Sequence, residues 1–167
     1  MAQLRPCLIQ KSKVEPQFCD KLAILGRKYR TFGLSTHLWL SADGFYEWKR
    51  TATSQQPFCF EVNDGELSAF AGLWDGWRDS RGQWIKTCSI LTTTPNAVAA
   101  TVHDRMPVIL HPHSYDLWLD PGITDVQVVS ELLKPYDPHS MRLYPVSTRV
   151  NHVENDDEEC SRLVKLV

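Results

Sequence analysis

Hydrophobic and polar residues alternate over several short segments of the chain, which is the pattern of strands with one buried face. The alternation is clearest at residues 58–62, and the apolar, β-branched run 84–93 is predicted to be a central strand. The Asn63-Asp64-Gly65 sequence is expected to form a hairpin turn that connects strand 58–62 to a partner strand at 67–74. The predicted strands are 37–42, 44–50, 58–62, 67–74, 84–93, 106–110 and 143–147.

Helical spacing occurs in fewer and shorter segments. Phe18, Leu22 and Leu25 predict a helix over 16–30. Three further short helices are expected to begin at Asn96, Ser114 and Thr124, because each residue type caps a helix N-terminus well. Many short strands with small peripheral helices predict an α+β fold with a predominantly antiparallel sheet.

Length and composition fit one soluble domain with its own core. The chain has 167 residues, of which 43% are hydrophobic and 23% charged. No apolar run reaches the roughly 18 residues of a membrane span, and the first thirty residues contain no secretory signal pattern. A cytoplasmic, nucleoid-associated protein, or a nuclear one in a eukaryote, is therefore expected, with no membrane partner.

The five cysteines, at positions 7, 19, 59, 88 and 160, contain no Cys-x-x-Cys pair. Their odd number and wide spacing favour reduced, mostly buried thiols over a disulfide framework or a zinc site. His111 and His113 are only a weak metal pair, since no further ligands lie at suitable spacing. No metal and no cofactor are expected.

Two segments carry candidate chemistry. In a strand, Phe45 and Glu47 point to one face, so the carboxylate would lie beside an aromatic ring and be partly desolvated, which suits proton transfer. His103 precedes Arg105, whose guanidinium can hold a phosphate. A Glu and a His that converge on one site make a general acid–base pair. The alternatives are a solvent-facing Glu on an edge strand and a His that ends a short helix.

Two further features permit nucleic-acid binding without requiring it. Trp74, Trp77 and Trp84 could stack on bases, although aromatic residues at strand spacing are expected in the core. A basic cluster permits a nucleic-acid surface, although such a charge run is usually a solvated face. The role of Lys11 and Lys13 within that cluster stays open. The cluster contains Lys11, Lys13, Arg27, Lys28 and Arg30.

Five sequence blocks, in this order, resemble the SRAP family, the SOS response-associated peptidases, also called abasic-site processing proteins. The resemblance covers residues 37–165 as one domain and implies a barrel-like, antiparallel α+β fold, preceded by a divergent segment 1–36. Cys160 follows the last block, where relatives often carry a cysteine. The blocks are Ala-Asp-Gly-Phe-Tyr-Glu-Trp at 42–48, Phe-Ala-Gly-Leu-Trp at 70–74, 89–92, His-Asp-Arg-Met-Pro at 103–107, and Val146, Ser147, Val150 and Asn151.

The resemblance implies a covalent reaction with damaged DNA. Family members begin Met-Cys-Gly-Arg, and after methionine removal the cysteine amine and thiol condense with the aldehyde of an abasic site in single-stranded DNA, which gives a thiazolidine. Glu47 and His103 match the residues that assist proton transfer, and Thr92 and Arg105 match those that grip phosphates. Peptidase or hydrolase activity, cross-linking and a lyase activity are implied at family level.

The first residues depart from the family pattern. The chain reads Met1-Ala2-Gln3-Leu4, so the nucleophilic cysteine is absent, and no internal cysteine can replace it because its nitrogen is tied up in an amide. The family's Trp-Gly-Leu-x-Pro and Asn-Ala-Arg-x-Glu motifs are also not recognisable. An impaired SRAP-type domain, forming no stable cross-link and prone to self-association through exposed core, is expected. The alternatives are a non-catalytic module that binds single-stranded DNA or protein, and a fragment whose true start lies upstream.

Overall fold

The computed structural model of the protein describes residues 37–52, 54–123 and 125–166, so the predicted helix over 16–30 and the basic cluster fall outside the described residues. The described part contains nine strands and two α-helices, with short 3-10 helices between them. The strands are β1 (His37–Ala42), β2 (Gly44–Arg50), β3 (Gln55–Val62), β4 (Ser68–Arg78), β5 (Trp84–Ile90), β6 (Thr92–Thr93), β7 (Met106–Pro107), β8 (Ile109–Leu110) and β9 (Met141–Pro145). The helices are α1 (Tyr115–Leu119) and α2 (Val126–Leu132).

Every strand pair in the described residues is antiparallel, which confirms the predicted fold class. Strand β4 lies between β1 and β5 and also pairs with β8. A second sheet has the order β2-β3-β9, and β6 pairs with β7. The chain passes from the first sheet to the second at Asp43, because Ala42 pairs with Ser68 of β4 and Gly44 pairs with Glu61 of β3. A Cβ at Gly44 would lie 2.3 Å from the Phe60 carbonyl oxygen, so this crossing requires glycine.

Two predictions of strand pairing are wrong. The 84–93 segment is not a central strand: β5 pairs only with β4 among the described strands. The Asn63–Gly65 turn forms, with φ of 49°, 58° and 84° along its three residues, but it does not join partner strands. Both sides of β3 are already occupied by β2 and β9, so the chain crosses from β3 to β4 in the other sheet.

The main core lies where the two sheets meet. The Phe45 ring stacks on Phe60 at 4.6 Å and meets the edge of Phe70 at 5.9 Å. Met106 and Ile109 complete the buried cluster. Phe45 therefore points inward as predicted, and Glu47, two residues further along β2, lies on the same face.

A second cluster covers the opposite face of β4, where Ala69 and Ala71 pack with Trp118 of α1. The Trp118 indole donates to the Leu38 carbonyl at 2.7 Å, which ties α1 to β1. Helix α2 begins at Asp125, whose carboxylate accepts from the Gln127 amide at 2.8 Å, and the predicted cap Thr124 falls outside the described residues. Neither of these short helices is long and apolar enough to cross a membrane.

The prediction that the tryptophans of β4 and β5 lie in the core is wrong for two of them. Trp77 and Trp84 are 51% and 60% exposed, whereas Trp74 is half-buried. The reason is the length of the two strands. Ile90, which pairs with Gly72, packs at the margin of the main core, and both strands of the hairpin continue beyond this pair. The end of this hairpin therefore projects beyond the core into solvent.

Candidate functional site

Strand β2 positions Glu47 at the margin of the main core. Its direct partner across the ladder is Phe58, which packs partly against that core, so the carboxylate lies beside an aromatic ring. The Glu47 side chain retains 16% exposure, which excludes the solvent-facing alternative. On the other face, the Trp48 indole donates to the Asn151 side-chain oxygen at 2.6 Å, which fixes this end of β2 against the C-terminal part of the chain.

The loop that carries His103 is anchored by the buried side chain of Asn96. Its Oδ1 accepts from the amides of Val98 and Ala99 at 3.1 and 2.9 Å, and its Nδ2 donates to the Tyr136 carbonyl at 2.8 Å. Asn96 thus supports a turn that continues as the 3-10 helix Ala99–Thr101. The His103 amide then donates to the Ala99 carbonyl at 3.0 Å. Sequence reasoning identified Asn96 only as a cap and missed this anchoring role.

Replacing Asn96 with Ala should destabilise the protein, because it removes the acceptor for two loop amides and the donor to Tyr136. A buried polar group left without its partner costs about 1–3 kcal/mol. Urea denaturation of Asn96→Ala and wild type measures the difference in the free energy of unfolding. Thr94→Ala, at an exposed position of the same loop, is the matched control and should stay within about 0.5 kcal/mol of wild type. Equal midpoints for Asn96→Ala and wild type would contradict the anchoring role.

The two predicted proton-transfer residues meet at this site. His103 Nε2 lies 3.9 Å from Glu47 Oε2, with the His103 side chain 27% exposed. The distance is too long for a good direct hydrogen bond, yet one oxygen atom of a substrate or water can lie within hydrogen-bonding distance of both atoms. The predicted convergence of Glu47 and His103 on one site is confirmed.

The other ring nitrogen of His103 has partners for either protonation state. Nδ1 lies 3.1 Å from the Arg105 amide, which donates to it when the ring is neutral with its proton on Nε2. Nδ1 also lies 3.2 Å from Asp104 Oδ1, which can accept when the ring is protonated. With Nδ1 accepting from the Arg105 amide, the ring proton lies on Nε2, which faces Glu47.

Arg105 and Thr92 form an adjacent cationic corner. Arg105 Nη2 donates to the Thr92 carbonyl at 2.6 Å and to its hydroxyl at 2.8 Å, and Nε lies 3.2 Å from the same hydroxyl. The pairing of Thr92 with Pro107 brings their two segments together. These bonds hold the guanidinium in one orientation next to His103, so the structure brings together all four predicted site residues.

The described cysteines differ in exposure, and the pKa of one of them is raised. Cys59 and Cys160 are free and buried, and Cys88 is free and exposed. Burial raises the pKa of the Cys59 thiol to about 11, so this thiol stays protonated at neutral pH. The site places the Glu47 carboxylate and the His103 imidazole beside the Arg105 guanidinium.

Comparison with known proteins gives matches to one family model and to curated relatives. The family model for SOS response associated peptidase (SRAP) matches residues 21–153. The abasic site processing protein YoqW of Bacillus subtilis (strain 168) is 41% identical over 121 residues, which are 72% of this chain and 54% of that protein. The abasic site processing protein HMCES of Gallus gallus is 31% identical over 139 residues, which are 71% of this chain and 41% of that protein. The chain spans about half the length of these relatives or less.

Solved structures share the fold. A protein from Bacteroides thetaiotaomicron has a TM-score of 0.73 at 22% identity, covering 95% of this chain and 74% of that one. A protein from Bordetella bronchiseptica has a TM-score of 0.63 at 24% identity, covering 81% of this chain and 72% of that one. These likenesses support the antiparallel α+β architecture and carry no information about activity.

Proposed function

Because the chain belongs to the SRAP family of SOS response associated peptidases, we propose that it binds single-stranded DNA at abasic sites and moves protons at the damaged sugar. The observation that carries the proposal is the pairing of Glu47 with His103 at 3.9 Å beside the Arg105–Thr92 corner. Relatives named as abasic site processing proteins support the choice of substrate.

Opening of the abasic sugar is the step that this pair suits. In the closed form C1 carries a hydroxyl group and is bonded to the ring oxygen. The Glu47 carboxylate takes the proton of the hydroxyl group while protonated His103 gives its Nε2 proton to the ring oxygen. The bond between C1 and the ring oxygen then breaks, leaving an aldehyde and a new hydroxyl group. Asp104, 3.2 Å from Nδ1, stabilises the protonated imidazole before the transfer.

The Arg105–Thr92 corner positions the strand for this reaction. Thr92 is exposed, and Arg105 next to it is partly exposed. A guanidinium with a fixed orientation is well suited to a phosphate oxygen, since it makes charge-assisted hydrogen bonds. A phosphate held there would place its sugar beside His103, which lies two residues away along the chain. Phosphate contacts fix the register of the strand and carry no base information.

Replacing Arg105 with Ala should weaken binding to single-stranded DNA of any sequence and reduce its salt dependence. The loss of one phosphate contact lowers the slope of log K against log salt by about 0.7 for a single strand. Fluorescence anisotropy with labelled oligonucleotides, over a series of salt concentrations, measures both effects. Arg162→Ala is the control, since Arg162 is exposed and paired with Glu159 near the C-terminus. An unchanged slope for Arg105→Ala would contradict a phosphate at this corner.

Non-covalent recognition of single-stranded DNA is the second candidate function. A thiazolidine closes through the amine and the thiol of one residue, so the three described cysteines, whose nitrogens are in peptide bonds, cannot form one. Cys59 and Cys160 are in addition buried. Under this alternative Arg105 would still bind phosphates, whereas Glu47 and His103 would contribute nothing to the chemistry. The two functions are therefore separated by variants of Glu47.

A further inference from the structure

The projecting end of the β4–β5 hairpin carries two exposed tryptophans on opposite faces. Trp77 pairs with Ile85, and Trp84 pairs with Arg78. Because side chains alternate along a strand, Trp74, Arg78 and Trp84 share one face, while Trp77 points to the other. Both exposed indoles lie where the hairpin has left the core, so neither exposure follows from packing requirements of the fold.

Trp84 lies beside another indole and an arginine. The Arg78 guanidinium carbon is 5.1 Å from the centroid of the Trp84 ring. A Cβ added at Gly76 would meet the Trp84 ring at 3.5 Å and the Trp74 ring at 3.7 Å, so both indoles border the bare glycine. We call Trp74, Gly76, Arg78 and Trp84 the hairpin platform.

The hairpin platform is continuous with the proposed DNA site. Ile90 belongs to the platform face, since it packs toward the main core, and its neighbour Leu91 packs in the cluster on the other face. Strand β5 ends at Ile90, and Thr92, the first residue of β6, is exposed next to Arg105. Eight residues separate Trp84 from Thr92, which corresponds to about 26 Å of extended strand. The chain that leaves the hairpin platform along β5 thus reaches Thr92 two residues after β5 ends.

The charges around the hairpin platform favour a nucleic acid. Arg78 and Arg81 are exposed cations at the end of the hairpin. The carboxylate of Asp79 accepts from the amides of Arg81 and Gln83, both at 2.9 Å, so this acid is engaged in forming the turn. Exposed indoles next to arginines are a combination on which unpaired bases stack without sequence preference.

We propose that the hairpin platform binds unpaired bases of the same single strand whose phosphates lie on Arg105 and Thr92. The inference rests on the proposed function and extends it, because it assigns a second contact on the strand at a distance from the damaged sugar. Trp84 stacks on a base, Trp74 widens the aromatic surface, and Arg78 contributes its charge to the stacked base or to a neighbouring phosphate.

The test compares two lengths of single-stranded DNA that carry one central abasic site. A strand of about 20 nucleotides reaches the hairpin platform, since even at the duplex spacing of about 3.4 Å per phosphate about 26 Å needs only roughly eight nucleotides on one side. A strand of about four nucleotides does not reach it. Trp84→Ala should weaken binding of the longer strand about tenfold and leave binding of the shorter one unchanged, while Trp84→Phe keeps most of the affinity because a ring remains.

Trp77→Ala is the matched control, since Trp77 is similarly exposed on the opposite face, and it should bind both strands like wild type. Equal affinity of Trp84→Ala and wild type for the longer strand would overturn the hairpin platform and leave the proposed function standing. An equal loss of affinity in Trp77→Ala would also overturn it, because the loss would then not depend on which face of the hairpin carries the tryptophan. Failure of the wild type to bind either strand would overturn the proposed function and this inference with it.

Discussion

Glu47→Gln should strongly reduce the rate at which the protein promotes the reaction of an abasic site with a supplied nucleophile. Free cysteine, added in excess, provides the amine and the thiol that condense with the aldehyde to a thiazolidine and one water. The wild-type chain should accelerate this condensation by opening the sugar, whereas the glutamine amide cannot accept a proton from the C1 hydroxyl group. General acid–base catalysis contributes about 10²–10⁴-fold, so we expect a loss on the order of 10²-fold. Mass spectrometry of the DNA over time gives the rate.

The controls separate catalysis from binding. Glu47→Gln keeps the shape of the side chain, so its affinity for the DNA should stay close to that of wild type. Glu66→Gln, at an exposed position, should keep the wild-type rate. A double variant with His103→Gln should be no slower than Glu47→Gln alone, because residues that act as a unit are not additive. A Glu47→Gln rate equal to that of wild type would favour the non-catalytic binding function.

Phe60→Ala should cause the largest loss of stability among the substitutions considered. Phe60 is fully buried and stacks on Phe45, so it joins β3 to the strand that carries Glu47. Replacing a buried Phe by Ala costs about 3–5 kcal/mol through lost burial and the cavity that remains. In a chain of this size the expected fall in Tm is roughly 10 °C. Differential scanning calorimetry and urea denaturation measure both quantities.

Leu67→Ala is the control for this substitution. Leu67 is a large apolar residue that is mostly exposed, so its truncation should change the free energy of unfolding by less than about 0.5 kcal/mol. A loss below about 1 kcal/mol in Phe60→Ala would contradict a core that is closed around the Phe45–Phe60 stack.

Local patterns were sufficient to predict most of the strands and the orientation of the site residues. Alternation in β2 placed Phe45 and Glu47 on one face, and the structure has both there, because the period of a strand fixes the faces before any partner is known. The identities of Glu47 and His103 came from motif blocks. Their 3.9 Å separation depends on how two distant segments pack, which sequence spacing alone does not determine.

Partner choice and local exposure could not be predicted in the same way. The Asn63–Gly65 turn has the composition of a hairpin turn, but both sides of β3 are taken by β2 and β9, so long-range pairing decides where the next strand goes. Tryptophan is a residue type that is usually buried. Trp84 is nevertheless exposed, because β5 extends beyond the core. The sequence predicts Asn96 only as a helix N-cap. Its hydrogen bond to the Tyr136 carbonyl joins residues forty positions apart, which a local pattern does not indicate.

A crystal structure of the protein with single-stranded DNA that carries one tetrahydrofuran analogue of the abasic sugar tests the central claim most directly. We predict that the analogue lies within about 3 Å of the Glu47 carboxylate and His103 Nε2, directly or through one water. A neighbouring phosphate should accept hydrogen bonds from Arg105. An analogue bound elsewhere, with Glu47 and His103 facing no part of the damaged nucleotide, would contradict the account.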